Sequence, residues 1–116
     1  MRIHTIYADE QGVSHFRDLD IDWAETVRSS KRSKVFPVTG MVFRQNQGDY
    51  ALDWHPAPRR QFIVNLDAGV KITVGDGESR IINAGEVILA EDLHGKGHIS
   101  ESLADTIRHS ILIHCD

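Results

Sequence analysis

From Phe36 onward, short runs rich in Val, Ile, Phe and Thr alternate with Gly, Asp and Asn, the pattern of many closely spaced strands. The predicted strands are Val38–Arg44, Tyr50–Trp54, Gln61–Leu66, Val70–Val74, Ser79–Ile82, Glu86–Ala90 and Ile107–His114. So many strands in so short a stretch predict an all-β antiparallel sandwich or barrel. Asp67-Ala68-Gly69, Gly75-Asp76-Gly77 and Asn83-Ala84-Gly85-Glu86 place glycine where tight turns need positive φ. The first 35 residues read differently. Asp18, Asp20 and Asp22 alternate ahead of Trp23, so Asp22 is a candidate cap for one helical turn, with a strand over Val13–Leu19 as the alternative. This segment is expected to pack across the barrel or against a second subunit. Its acidic alternation lacks the glycine and distal glutamate of a calcium loop.

At 116 residues the chain has room for one hydrophobic core and one site. The net charge of −4 and the absence of a long basic run argue against nucleic-acid binding. The one basic cluster, Arg28 to Lys34, reads as a solvated loop. No apolar run approaches the about 20 residues that span a bilayer, and Met1-Arg2-Ile3-His4 does not lead into a signal-peptide core, so the expectation is a cytoplasmic protein without a membrane partner. A single cysteine, Cys115, rules out an intrachain disulfide.

Seven histidines concentrate attention on acid–base or metal chemistry. His55 follows a strand and precedes Pro56 and Pro58, whose fixed φ holds the backbone extended and aims nearby side chains reproducibly. Gln61 opens the next strand; if it faces inward, alternation puts Asn65 on the same side. His98 follows Gly95-Lys96-Gly97, whose glycines let backbone approach a ligand closely, and His94 stands nearby with Glu91 and Asp92. Arg59 is the candidate for gripping a substrate carboxylate, with Arg60 on the opposite parity in solvent, and Trp54 is a candidate pocket wall.

The two histidine segments, separated by a glycine-bounded meander, resemble the paired motifs of the cupin superfamily over residues 38–114. In the first motif His55 matches the first histidine, Ala57 the second, Gln61 the glutamate and Ala68 the glycine. In the second, Gly77 matches the opening glycine, Asn83 the proline, Gly85 the next glycine and His98 the final histidine. The resemblance implies a cupin-like β-barrel of the jelly-roll type over 36–116, an N-terminal extension over 1–35, and a homodimer. It also implies a small-molecule ligand. Two of the four usual metal ligands are replaced here, by Ala57 and Gln61. His55 and His98 with His94 as a substitute, or His109 as a weaker one, would make a three-nitrogen site for zinc, iron, manganese or nickel. Three functions follow. One is a metal-dependent enzyme of isomerase, lyase or dioxygenase type acting on a small oxygenated, anionic substrate, with Gln61 or Glu91 assisting proton transfer and Arg59, Asn65 and Trp54 contacting substrate. Another is a metal-free binding pocket, and a purely structural module is a third possibility.

Overall fold

A computed structural model describes all 116 residues. Regular structure consists of twelve strands: β1 (Arg2–Ala8), β2 (Ser14–Asp20), β3 (Glu25–Val27), β4 (Ser30–Arg32), β5 (Gly40–Asn46), β6 (Ala51–His55), β7 (Gln61–Asn65), β8 (Val70–Thr73), β9 (Ser79–Ile82), β10 (Val87–Glu91), β11 (His98–Ser102) and β12 (Arg108–His114). The strands β10-β7-β12-β5 lie side by side in one sheet and β6-β11-β8-β9 form another. Numbered from β5, these orders are 6-3-8-1 and 2-7-4-5, the interlocked Greek keys of the jelly roll that cupins share with capsid and lectin domains. The all-β expectation holds. The sheets stay separate, however, and do not close into one continuous barrel.

The N-terminal segment belongs to the same body. β1 pairs in parallel with β10, from Ile3↔Val87 to Tyr7↔Glu91, and antiparallel with β2, extending the larger sheet to six strands. Ile3, His4, Thr5 and Ile6 are buried there, so much of this segment lies within the sheet. The helical turn at Asp22 does not form; residues 21–24 have no regular structure and lead into the β3–β4 hairpin, exposed along both strands. The basic cluster lies largely in that hairpin, in solvent. No helix is long and apolar enough to cross a membrane.

The two sheets are filled unevenly. Ile6, Phe16 and Ile88 of the larger sheet pack on Val70, Ile72 and Ile82 of the smaller one, with Val74 just beyond β8, to make the apolar core. Burying side chains of this kind contributes about 1.5–3 kcal/mol each. That core occupies the half where β1, β2 and β10 face β8 and β9. Toward β5, β6, β7, β11 and β12 the sheets flank a cavity of about 430 Å³, which Ile6, Ile72 and Ile88 of the core also line.

Candidate functional site

His55 and His98 stand directly opposite each other at the paired ends of β6 and β11, their ring centroids 4.5 Å apart. The register slips beyond this pair: two residues lie between Leu52 and His55, against one between His98 and Ser100. Such a bulge re-aims side chains, and here both Leu52 and His55 line the cavity. Each imidazole is oriented by an oxygen acceptor. His55 Nδ1 donates to the Asp53 carbonyl (2.7 Å), and His98 Nδ1 donates to Asp92 Oδ2 (2.6 Å). In the neutral tautomer these bonds select, both rings carry the lone pair on Nε2. Asp92 is completely buried, so its carboxylate serves His98 out of contact with solvent.

Glycine makes this close approach feasible. Gly97 adopts φ +80°, and a Cβ there would overlap the His55 carbonyl and Pro56 nitrogen. The Gly95-Lys96-Gly97 turn thus brings the β11 histidine against the end of β6 because position 97 has no side chain.

Gln61 and Arg59 also line the cavity. Gln61 is buried, and its amide makes no hydrogen bond within the protein, leaving both a donor and an acceptor for a ligand. Arg59 donates through Nη1 to His114 Nδ1 (2.7 Å), which fixes His114, also a lining residue, with its proton on Nε2. Arg60 points away and donates to Glu91 (2.7 Å).

Five predicted site residues lie elsewhere. His94 is exposed and bonds the Asp9 carbonyl through Nε2 (3.3 Å), because its loop turns outward before Gly97; it does not join His55 and His98. Glu91 occupies the outer parity of β10, where Arg60 and Arg17 neutralise it, while Ala90 takes the inward position. Trp54 falls at the bulge and faces out under the Lys96 ammonium, 4.1 Å from its ring. Asn65 has the expected inward parity but is wholly buried behind the cavity wall, donating to the Ile82 carbonyl (3.1 Å) and accepting from Arg108 (3.1 Å). His109, the weaker ligand candidate, is exposed and tied to Asp67.

The alternation pattern did not single out Arg44 and Arg108, yet both line the cavity. Their signal was parity: Arg108 shares the inward face of β12 with Ser110, Leu112 and His114, opposite Ile111 and Ile113. Burial lowers the Arg44 guanidinium, and burial followed by the nearby Arg44 charge pushes Arg108 down to about 10. Both remain cations at neutral pH.

These side chains do not fit a divalent metal. No group of three or more His, Cys, Asp or Glu side chains is placed to hold one. Ala57 lines the cavity at the position matched to the second motif histidine, leaving the His55–His98 pair and a neutral amide beside several arginines, while the third lining imidazole, His114, has its Nδ1 taken by Arg59. A catalytic metal centre ordinarily uses three protein ligands with compensating charge.

No protein-family model matches the chain, and no curated protein matches it. Among solved structures, protein NMB1881 from Neisseria meningitidis has a TM-score of 0.49 and 18% identity, covering 79% of this chain and 100% of that one. A proposed ethanolamine utilization protein Q from Salmonella typhimurium LT2 has a TM-score of 0.46 and 14% identity, covering 99% of this chain and 96% of that one. The fold assignment rests on the strand order itself.

Proposed function

We propose that the cavity binds a small oxygenated, anionic molecule and that His55 and His98 move a proton on it without a metal. The supporting observation is the pair of imidazoles, each held through Nδ1 by an oxygen acceptor and each keeping Nε2 free at the cavity. His98 is the general base. Asp92 holds its tautomer and stabilises the imidazolium formed when Nε2 takes a proton. His55, opposite, returns a proton to a second position after exchange with solvent or transfer from His98. The Gln61 N–H groups supply a hydrogen bond to a substrate oxygen as it gains charge. Abstraction and return of a proton next to a carbonyl is the chemistry of isomerases and lyases, and it needs no oxidant.

Deuterium incorporation tests this. The protein in D₂O with a panel of oxo and hydroxy acids, the carbonyl or hydroxyl placed next to the carboxylate in some and several carbons away in others, is expected to exchange a carbon-bound proton of at least one of them. His98→Gln should slow that exchange by about a hundredfold or more, and Asp92→Asn by at least about tenfold. Exchange that survives His98→Gln would sink the assignment. Tight uptake of one equivalent of zinc or nickel, lost in His55→Ala, would overturn the metal-free reading.

A further inference from the structure

Arg44 and Arg108 lie at the opposite end of the cavity from the histidines. Arg108 is 3% exposed; its Nη1 donates to Asn65 Oδ1 (3.1 Å), and its Nε is buried with no partner at all. Arg44, on the neighbouring strand, donates through Nε to Ser110 Oγ (3.2 Å). The register sets Arg44 opposite Ser110 and Asn46 opposite Arg108, so the arginines are diagonal neighbours on the inner face, about 7 Å apart at Cβ. Neither lies in an ion pair, and the cavity lining contains no Asp or Glu. The other titratable groups facing it are Tyr50, whose ring lies 6.0 Å from the Arg108 guanidinium, and the cations and imidazoles of Arg59, His114, His55 and His98. Burying a cation without a counter-charge is a costly arrangement, so the missing anion is expected to arrive with the ligand.

We propose that Arg44 and Arg108 form a carboxylate-binding site, and that the ligand is a carboxylate whose short apolar chain carries its reacting group to His55 and His98. This rests on the small-molecule reading of the cavity above and adds the class and orientation of the ligand. The open donor edges fit a planar two-oxygen acceptor. Asn65 occupies Nη1 of Arg108 and its Nε is closed off, while Ser110 takes Nε of Arg44, so Nη2 of Arg108 and the Nη groups of Arg44 are the donors left to bridge the two oxygens of a carboxylate. Phosphate sites draw on backbone N–H groups at helix termini or glycine-rich loops, whereas β12 is paired on both sides here. Five residue steps lead from Tyr50 to His55 at the end of β6, an extended span of about 16 Å. Between the two ends Leu52, Ile63 and Leu112 line the cavity, which calls for an apolar middle to the ligand.

Calorimetric titration with hexanoate, 1-hexanol and hexyl phosphate at pH 7 tests the assignment. Hexanoate is expected to bind at least tenfold more tightly than 1-hexanol and more tightly than hexyl phosphate. Arg108→Met and Arg44→Met should each weaken hexanoate at least tenfold and leave 1-hexanol within about twofold. Arg44, only half-buried, carries the test if Arg108→Met does not fold. Hexanol binding equal to hexanoate, preference for hexyl phosphate, or wild-type hexanoate affinity in a folded arginine variant would overturn the carboxylate site while leaving the cavity reading standing. Binding of none of the three would overturn both.

Discussion

Cations are treated in two ways in this molecule. At the rim where β1 and β2 meet β9 and β10, each charge has its answer: Arg80 pairs with Asp18 and Glu78, Arg2 with Asp18 and Glu86, and Arg17 and Arg60 with Glu91. Histidines there are equally occupied, with His4 donating to Glu86 and His15 bonded by both ring nitrogens, to Asp9 and Asp76. In the cavity the pattern reverses. Arg44 and Arg108 have only neutral partners, and His55 and His98 each keep one nitrogen free. A protein stabilised by its polar groups satisfies them internally; one that leaves buried groups short of partners holds them for something that binds. The difference separates the residues that hold the fold from those that await a ligand.

The comparison can be broken most severely at the joint between loop and strand. Gly97→Ala forces a Cβ into the His55 carbonyl at positive φ, and a loss of more than about 3 kcal/mol is expected in urea unfolding; a loss below about 1 kcal/mol would show that the histidine pair does not depend on that contact. Next comes the rim. The His4 hydrogen bond, followed by the Asn83 backbone N–H, holds Glu86 down at about 2, from an ordinary 4.5. A depressed carboxylate stabilises the fold fully above its unfolded value, and that contribution is lost as pH falls through the folded one. Glu86→Gln should therefore cost about 1–2 kcal/mol at pH 7, with the gap to wild type closing between pH 4.5 and 2. A gap that stays constant over that interval would contradict this account.

In the cavity the sign should change. Without ligand, Arg44→Met removes an uncompensated charge and is expected to leave stability unchanged or raise it by up to about 1 kcal/mol. A loss comparable to that of Glu86→Gln would make Arg44 a structural residue and erase the contrast. The smallest effect is at His15, whose hydrogen bonds to Asp9 and then Asp76 raise it above 6.5. A raised histidine contributes fully below its unfolded value and loses that contribution as pH rises through the folded one. The melting-temperature difference between wild type and His15→Gln should thus be largest below pH 6.5 and shrink above it; a difference that grows with pH would refute the clamp.

Much of the jelly roll was legible from alternation and glycine turns, because β5 to β10 and β12 carry an apolar face. β11 was hidden: His98-Ile99-Ser100-Glu101-Ser102 is mostly polar, since its inward side chains line a cavity that holds polar groups. β1 was hidden for another reason. Ile3, His4, Thr5 and Ile6 are buried consecutively, so both of its faces are covered and no period of two survives. At the site, chain-local features brought out His55, His98, Gln61 and Arg59. The outward turn of His94 and the bulge at Trp54 depend on contacts between distant strands, and Asp92 and the arginine pair acquire meaning only once β5, β11 and β12 are set in place.

The parallel pairing of β1 with β10 bears on how quickly the chain folds. His4 and Glu86, bonded to each other, are 82 residues apart in sequence, and Arg44 and Ser110 are 66 apart. Pairings this remote close long loops before any contact rewards them, which places folding in the millisecond-to-second range. The arginine end of the cavity needs one of these late encounters. Changes confined to it are expected to alter the rate of unfolding and leave the rate of folding nearly untouched.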